Sequence, residues 1–197
     1  KRVYPYAFRY SQLKSVDFTD TNLQYLDEGA FADCYALKTV ILNDLVKSLL
    51  HTFAWDNSLE EVRVGSAVTT LVGTFRGCSS LKTVNLPEGI TALGFGVFDG
   101  CSSLKELVLP KTLIDIDDQV FVSCGFETII LPSKLENIGD DAFFGCALKT
   151  ITIPASVKRI GVHAFPSGAG VTTNASMTKM SDGSMRRTDL VITLKPT

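Results

Sequence analysis

The stretch "LENIGDDAFFGCALKTITIPASVKRIGVHAF", residues 135–165, contains one short motif twice. Both "LENIGDDAF" and "VKRIGVHAF" end on a phenylalanine, and those two phenylalanines are 22 residues apart. The same residue recurs along the chain at intervals of 22 or 23 residues, at Phe8, Phe31, Phe53, Phe75, Phe98, Phe121, Phe143 and Phe165. A period of this length is typical of repeat proteins, in which each unit packs on the next.

A second motif lies between the phenylalanines and has the alternation of a β-strand. In "LKTITIP", the side chains of Leu148, Ile151 and Ile153 are predicted to point inward, and those of Thr150 and Thr152 outward. Equivalent motifs begin at Leu13, Leu37, Leu59, Leu81, Leu104, Phe126 and Leu148. Because one unit cannot bury its own apolar edge, the sequence predicts a mostly-β repeat solenoid over residues 1–165, with seven strand-bearing units of 22–24 residues.

The C-terminal part departs from this pattern. Residues 166–188 are polar and rich in small side chains, and they are predicted to be a loop inserted into the stack. The strand motif returns in "VITLKP", where Ile192 and Leu194 occupy the positions that Ile151 and Ile153 have in "LKTITIP". We therefore interpret residues 166–197 as an inserted loop plus a C-terminal capping strand of the same domain, because the end units of solenoids must cover the apolar core. The alternative is a flexible segment that the fold merely tolerates.

The charge and hydropathy of the chain argue against two classes of partner, nucleic acid and membranes. The net charge of −2 provides no field that would attract nucleic acid. No run of 18 apolar residues is present, so no membrane insertion is expected within the chain. Since the chain begins at Lys1 without a methionine or an apolar signal core, we expect a mature or excised fragment whose export signal lies outside it.

The complete unit resembles the BspA-like leucine-rich repeat, most clearly in residues 135–165. The resemblance implies a right-handed, curved superhelix with short parallel strands on the concave face and short strands or 3-10 turns opposite. It also implies a secreted or cell-surface location and a role in adhesion or in binding host matrix proteins. The family motif contains no catalytic residues, so the resemblance implies no enzyme activity and no cofactor. Residues 49–57 and 71–77 depart from the motif, which predicts irregular packing there.

Five cysteines share one position, three residues after a repeat phenylalanine: Cys34, Cys78, Cys101, Cys124 and Cys146. A catalytic thiol needs one special environment, whereas five equivalent copies indicate a structural role. Equivalent side chains point the same way and would not present their sulfurs for a disulfide, and no C-x-x-C pair offers zinc ligands. We predict buried thiols that fill a small apolar slot.

Acidic residues and two histidines are the candidate metal ligands and acid–base groups of the sequence. Stacking would place Asp118 beside Asp140, which favours either a solvated acidic edge or, less readily, a calcium ion. Calcium needs about six to eight oxygens, and the sequence places only a few there. His51 and His163 lie five repeats apart and cannot share a site. The sequence therefore predicts neither a metal site nor a catalytic site.

The concave face of a curved solenoid is its default binding surface. Its outward columns supply the predicted ligand-binding residues Thr39, Ile41, Glu61, Arg63, Thr83, Asn85, Glu106, Val108, Thr128, Ile130, Thr150 and Thr152. The same residue types also suit β-strands, so a purely structural role explains them equally well.

Trp55, the sole tryptophan, replaces a turn glycine and is predicted to form a contact site near His51. Packing over the shortened repeat is the alternative explanation for this residue.

These features predict a non-enzymatic protein-binding or adhesion module, extracellular or on the cell surface, with a host extracellular-matrix or surface protein as its partner. The alternatives are a structural spacer in a larger surface protein and a polysaccharide-active solenoid enzyme. The concave columns lack aromatic residues and have only isolated charges, which disfavours the enzyme and sugar-binding readings.

Overall fold

The computed structural model describes residues 1–173 and 177–187. These residues form a solenoid of about eight turns that contains short strands and no helix. The strands are β1 (Arg2–Val3), β2 (Ser15–Asp17), β3 (Tyr25–Leu26), β4 (Thr39–Ile41), β5 (Ser48–Leu50), β6 (Glu61–Arg63), β7 (Thr70–Val72), β8 (Thr83–Asn85), β9 (Ala92–Leu93), β10 (Asp115–Ile116), β11 (Asn137–Ile138), β12 (Thr150–Ile153), β13 (Arg159–Ile160), β14 (Gly170–Thr173), β15 (Met177–Lys179) and β16 (Met185–Arg187).

The predicted strand motif forms a parallel sheet. Strands β2, β4, β6 and β8 pair in sequence order, and equivalent residues face each other, as Thr39 faces Glu61 and Glu61 faces Thr83. Farther along the chain β12 pairs in parallel with β14. Middle residues such as Val62 are buried, whereas their neighbours on either side are exposed. The alternation that the sequence predicted is confirmed, and the outward columns lie on one face.

A second set of strands forms the other side of each coil. Strands β9, β10, β11 and β13 are parallel neighbours, while β1 pairs with β3 and β5 pairs with β7. Between the two sets lies a single apolar core that runs the length of the stack.

The repeat phenylalanines form a stack that runs through this core and ends at the exposed Phe8. Neighbouring rings from Phe8 to Phe165 have centroids 4.9–6.0 Å apart and are nearly parallel. The turns that carry them are joined by backbone hydrogen bonds, as when the Phe53 amide donates to the Thr74 carbonyl at 3.0 Å. Each turn therefore continues a hydrogen-bonded ladder without being a strand.

Two positions of the turn adopt a positive φ in seven of the eight turns, and only the first of them does in the turn of Phe165, which explains the glycines of the motif. The first position holds Tyr6, Gly29, His51, Gly73, Gly96, Gln119, Asp141 and His163, and the second holds Tyr10, Asp33, Trp55, Gly77, Gly100, Ser123 and Gly145. Non-glycine residues there accept a backbone strain of about 1–2 kcal/mol each. The ladder between the turns offsets this strain.

The five cysteines are all buried and free, as predicted. Each Sγ donates to the carbonyl of the phenylalanine one repeat earlier, at 3.0–3.1 Å: Cys34 to Phe8, Cys78 to Phe53, Cys101 to Phe75, Cys124 to Phe98 and Cys146 to Phe121. Burial raises the pKa of all five thiols, and that of Cys146 reaches about 11. The side chain is therefore a small apolar donor that ties neighbouring repeats together.

The segment 166–188, predicted as a loop, contains three strands, so that expectation was wrong for the residues described. Strand β14 extends the sheet beside β12, and β15 and β16 form an antiparallel pair whose β16 strand joins β13. The last strand of an open sheet has unpaired backbone N–H and C=O groups. The segment that follows can form hydrogen bonds to these groups through its own backbone, even when its side chains are polar. The predicted capping strand with Ile192 and Leu194 lies outside the described residues, and the division at residue 165 stays a prediction.

Candidate functional site

The structure brings the predicted ligand-binding residues together on one surface, apart from Trp55. Thr39, Glu61 and Thr83 form one exposed column, and beside it lie Ile41, which is half-buried, and the exposed Arg63. The columns continue through the exposed side chains of Glu106, Val108, Thr128, Ile130, Thr150 and Thr152. Their role in binding remains a prediction.

Asn85 has a structural role in this surface. Its side-chain oxygen accepts a hydrogen bond from the Val64 amide at 2.8 Å, and its side-chain nitrogen donates to the Val64 carbonyl at 3.0 Å. The carboxamide thus takes the place of a neighbouring peptide group. Because both polar atoms of its carboxamide form hydrogen bonds to Val64, Asn85 connects the end of β6 to β8.

The sheet is interrupted next to β8. Residues 105–109 and 127–131 follow the strand motif but form no strand, so the ladder stops at β8 and resumes at β12. A cleft of about 460 Å³ lies between β8 and residues 106–110, and another of about 380 Å³ lies between residues 128–131 and β12. The interruption was not foreseen, because "LKELVLP" has the same pattern as the motifs that do pair.

Val108 and Ile130 stand between these clefts. Each is 87% exposed, which makes them the two most exposed large apolar side chains in the described part of the chain. Leu107 and Ile129, whose side chains the motif predicts to point inward, are only partly buried. The centre of the concave face is therefore an apolar ridge with a cleft on either side.

Trp55 lies in a turn, away from the strand columns. Its φ is 68°, and its ring covers Gly77 of the next repeat, so that a Cβ on Gly77 would come within 2.3 Å of the ring. His51 covers Gly73 in the same way. The two glycines make room for the two rings, which explains why residues 49–57 and 71–77 depart from the motif together. The ring of Trp55 is half exposed, and the Arg76 guanidinium lies 5.8 Å from its centroid.

Sequence reasoning missed an aromatic cluster in the first repeats. Its exposed members are Tyr6, Tyr10 and Tyr35, and the ring centroids of Tyr10 and Tyr35 lie 6.4 Å apart. The guanidinium of Arg9 lies over the rings of Tyr6 and Tyr10, and its Nε donates to Asp33 at 2.8 Å. The sequence feature that could have indicated this cluster is the presence of tyrosine at both positive-φ turn positions of the first repeat, Tyr6 and Tyr10.

A third cleft opens between β3 and β5 on the other side of the coil, with a volume of about 570 Å³. Its walls include the exposed side chains of Tyr25 and Leu45 and the charged residues Asp27 and Lys47. It contains none of the predicted site residues.

Asp118 and Asp140 act on the backbone. One oxygen of Asp118 accepts from the Asp140 amide at 2.7 Å, and one oxygen of Asp140 accepts from the Val162 amide at 2.9 Å. Their carboxylates thus join neighbouring repeats, a role that neither the solvated-edge nor the calcium reading included. In residues 1–173 and 177–187, no group of three or more histidine, cysteine or acidic residues is arranged to hold a metal ion. Nor does a helix able to cross a membrane occur in those residues.

A family model described as "BspA type Leucine rich repeat region (6 copies)" matches residues 1–124 and 50–172. The chain belongs to the BspA-type leucine-rich repeat family. The fold that the sequence resemblance implied, a mostly-β solenoid of parallel strands, is therefore confirmed.

Solved leucine-rich repeat structures resemble this one. A protein from Bacteroides ovatus is 25% identical with a TM-score of 0.66, over 73% of this chain and 40% of that chain. The T. pallidum leucine-rich repeat protein is 23% identical with a TM-score of 0.67, over 81% of both chains. A leucine rich cell surface protein from Faecalibacterium prausnitzii is 19% identical with a TM-score of 0.53, over 89% of this chain and 70% of that chain. The chain thus spans 40% of the Bacteroides ovatus protein, and no curated protein matches it.

Proposed function

We propose that the chain is a non-enzymatic binding or adhesion module of a secreted or cell-surface protein, and that it binds a protein through its concave strand face. The observation that carries this proposal is the pair Val108 and Ile130, each 87% exposed in the middle of that face. Fully burying such a side chain against a partner is worth about 1.5–3 kcal/mol.

The charges around the face fit a protein partner better than a polyanion. The Lys82 ammonium lies 2.8 Å from the Glu60 carboxylate, and the Lys149 ammonium lies 2.9 Å from that of Glu127. Because these lysines are paired with glutamates, and the exposed Glu61 and Glu106 add negative charge to the outward columns, the face lacks the strong positive field that nucleic acid requires. A host extracellular-matrix or surface protein is the proposed partner.

The family match supports a repeat module, and proteins of this kind are generally non-enzymatic. The Faecalibacterium prausnitzii protein, which shares the fold, is described as a cell surface protein. We propose the same location for this chain.

The test is capture from a host extracellular-matrix preparation by the immobilised chain. The double variant Val108→Lys, Ile130→Lys is compared with Phe144→Lys, a matched control because Phe144 is a half-exposed apolar residue in a turn. Circular dichroism melting checks that both variants fold. We expect loss of capture by the double variant and retention by the control. Equal capture by all three proteins would exclude the concave face as the binding surface. No capture by any of them would favour a structural spacer over a binding module.

A further inference from the structure

We propose that the ridge of Val108 and Ile130 and its two flanking clefts bind a polypeptide segment in an extended conformation. The segment would place apolar side chains against the ridge and bond its backbone to protein backbone groups in the clefts. This inference rests on the proposed function and adds the class of partner and the way it is recognised.

The first support comes from the backbone at the interruption. In the regular part of the sheet the Leu42 amide donates to the Arg63 carbonyl, and the Lys82 amide to the Glu60 carbonyl, both at 2.9 Å. At the next step the equivalent amides of Leu86 and Lys105 make no such bond, although their segments continue the strand motif. Between the repeats of Val108 and Ile130 the Glu127 amide also lacks its ladder bond. At the second cleft the Leu131 amide lacks this bond, while the Lys149 amide donates to the Glu127 carbonyl at 3.4 Å. The first cleft is therefore bordered by the amides of Leu86 and Lys105 and the carbonyl of Lys82, and the second by the Leu131 amide, none of which has a protein partner.

Such groups favour an occupant with a backbone of its own. An unmade backbone hydrogen bond is costly when water is excluded, and an extended peptide can supply alternating donors and acceptors along its length. Peptides bound in this way gain affinity from main-chain bonds and specificity from alternate side chains.

The second support comes from the side chains around the clefts. Val108 and Ile130 occupy the same position in consecutive repeats and are exposed to the same extent. The first cleft is also lined by Leu86 and Leu107, which are only partly buried. A segment with apolar residues at alternate positions can therefore contact both the ridge and the cleft.

Other occupants fit less well. Residues 82–86, 105–110, 127–131 and 150–154 contain no aromatic side chain on which a sugar or a nucleobase could stack. The lysines and glutamates here are balanced, so a highly charged peptide would gain little. The proposed occupant is an extended segment of low charge that carries β-branched or aliphatic residues at alternate positions.

The experiment uses a synthetic library of ten-residue peptides in which valine, isoleucine or leucine alternates with threonine, serine or glutamine. Fluorescence anisotropy measures the affinity of selected peptides for the unaltered chain, for Val108→Lys, Ile130→Lys and for the control Phe144→Lys. We expect the double variant to bind at least tenfold more weakly and the control to bind unchanged. N-methylation of alternate amides in one register should also weaken binding at least tenfold, whereas methylation in the other register should have little effect.

Several results would overturn the inference. One is that no library peptide prefers the unaltered chain to the double variant. Another is that N-methylation leaves the affinity unchanged in both registers, because the backbone would then take no part. Self-association of the unaltered chain that the double variant abolishes would identify a second copy as the occupant. If a matrix protein is still captured through Val108 and Ile130 while the library fails, the proposed function stands and only this inference falls.

Discussion

Asp56 occupies the position that cysteine holds in five other repeats, and its ionisation offers a sharp test of the packing described above. The residue is 0% exposed. One carboxyl oxygen accepts a hydrogen bond from the Cys34 amide at 2.6 Å, and the other has no hydrogen-bond partner. The pKa of Asp56 is raised from 3.8 to about 9, mainly by burial and to a smaller extent by the neighbouring Asp33, while the hydrogen bond from the Cys34 amide opposes the shift.

The raised pKa makes the stability of the fold depend on pH. At pH 7 the folded chain holds a proton on Asp56 that the unfolded chain has released. The contribution of Asp56 is therefore fully present below a pH of about 4, falls as the pH rises, and is lost at a pH of about 9. Between a pH of about 4 and pH 7 the change is roughly 3 pH units at about 1.4 kcal/mol each, or about 4 kcal/mol.

The perturbation is Asp56→Asn, which keeps the shape and the acceptor oxygen but cannot ionise. We expect the free energy of unfolding, measured in urea, to exceed that of the unaltered chain by about 4 kcal/mol at pH 7 and to match it closely at a pH of about 3.5. Taking the difference between the two proteins at each pH cancels the effect of exposed carboxylates such as Asp17 and Asp44, whose pKa values are lowered. Parallel pH profiles for the two proteins would show that Asp56 does not hold a proton in the folded chain at pH 7.

Three further predictions concern single contacts. Cys101→Ala removes a fully buried thiol and its bond to the preceding repeat, so the free energy of unfolding should fall by about 1–3 kcal/mol, and native Cys101 should not react with a thiol reagent before unfolding. Gly77→Ala puts a methyl group where the ring of Trp55 lies, so tryptophan fluorescence should shift, with a stability loss of about 1 kcal/mol or more; an unchanged spectrum would contradict the described position of the ring. Asn85→Ala removes both hydrogen bonds to Val64 and should cost about 1–3 kcal/mol, whereas full stability in urea would show that this connection contributes nothing.

Much of the architecture could be predicted because stacking repeats an identical environment. The alternation in "LKTITIP" predicts which side chains are buried, and the stacked rings from Phe8 to Phe165 confirm the period. The common position of the five cysteines likewise predicted their burial. In each case the distance along the chain is enough to predict burial, since every unit packs against a copy of itself.

The surface could be predicted only in part. The outward columns lie where the alternation places them, but Asn85, Asp118 and Asp140 turned out to bond the backbone of neighbouring repeats. Whether a polar side chain binds the backbone or faces solvent depends on a distance of a few tenths of an ångström. A pattern of residue types in the sequence does not give the distance between a side-chain polar atom and a backbone group.

The repeat, its period, the inward residues and the buried position of the thiols can all be read from the amino-acid sequence, because hydrophobic burial in a stack follows directly from residue spacing. Only the tertiary structure decided that β8 is followed by an interruption and that Val108 and Ile130 form an exposed ridge between two clefts. The motif at residues 104–110 is compatible with pairing, yet the spacing between neighbouring strands is set by how all the coils pack together. That spacing gives the concave face its candidate site.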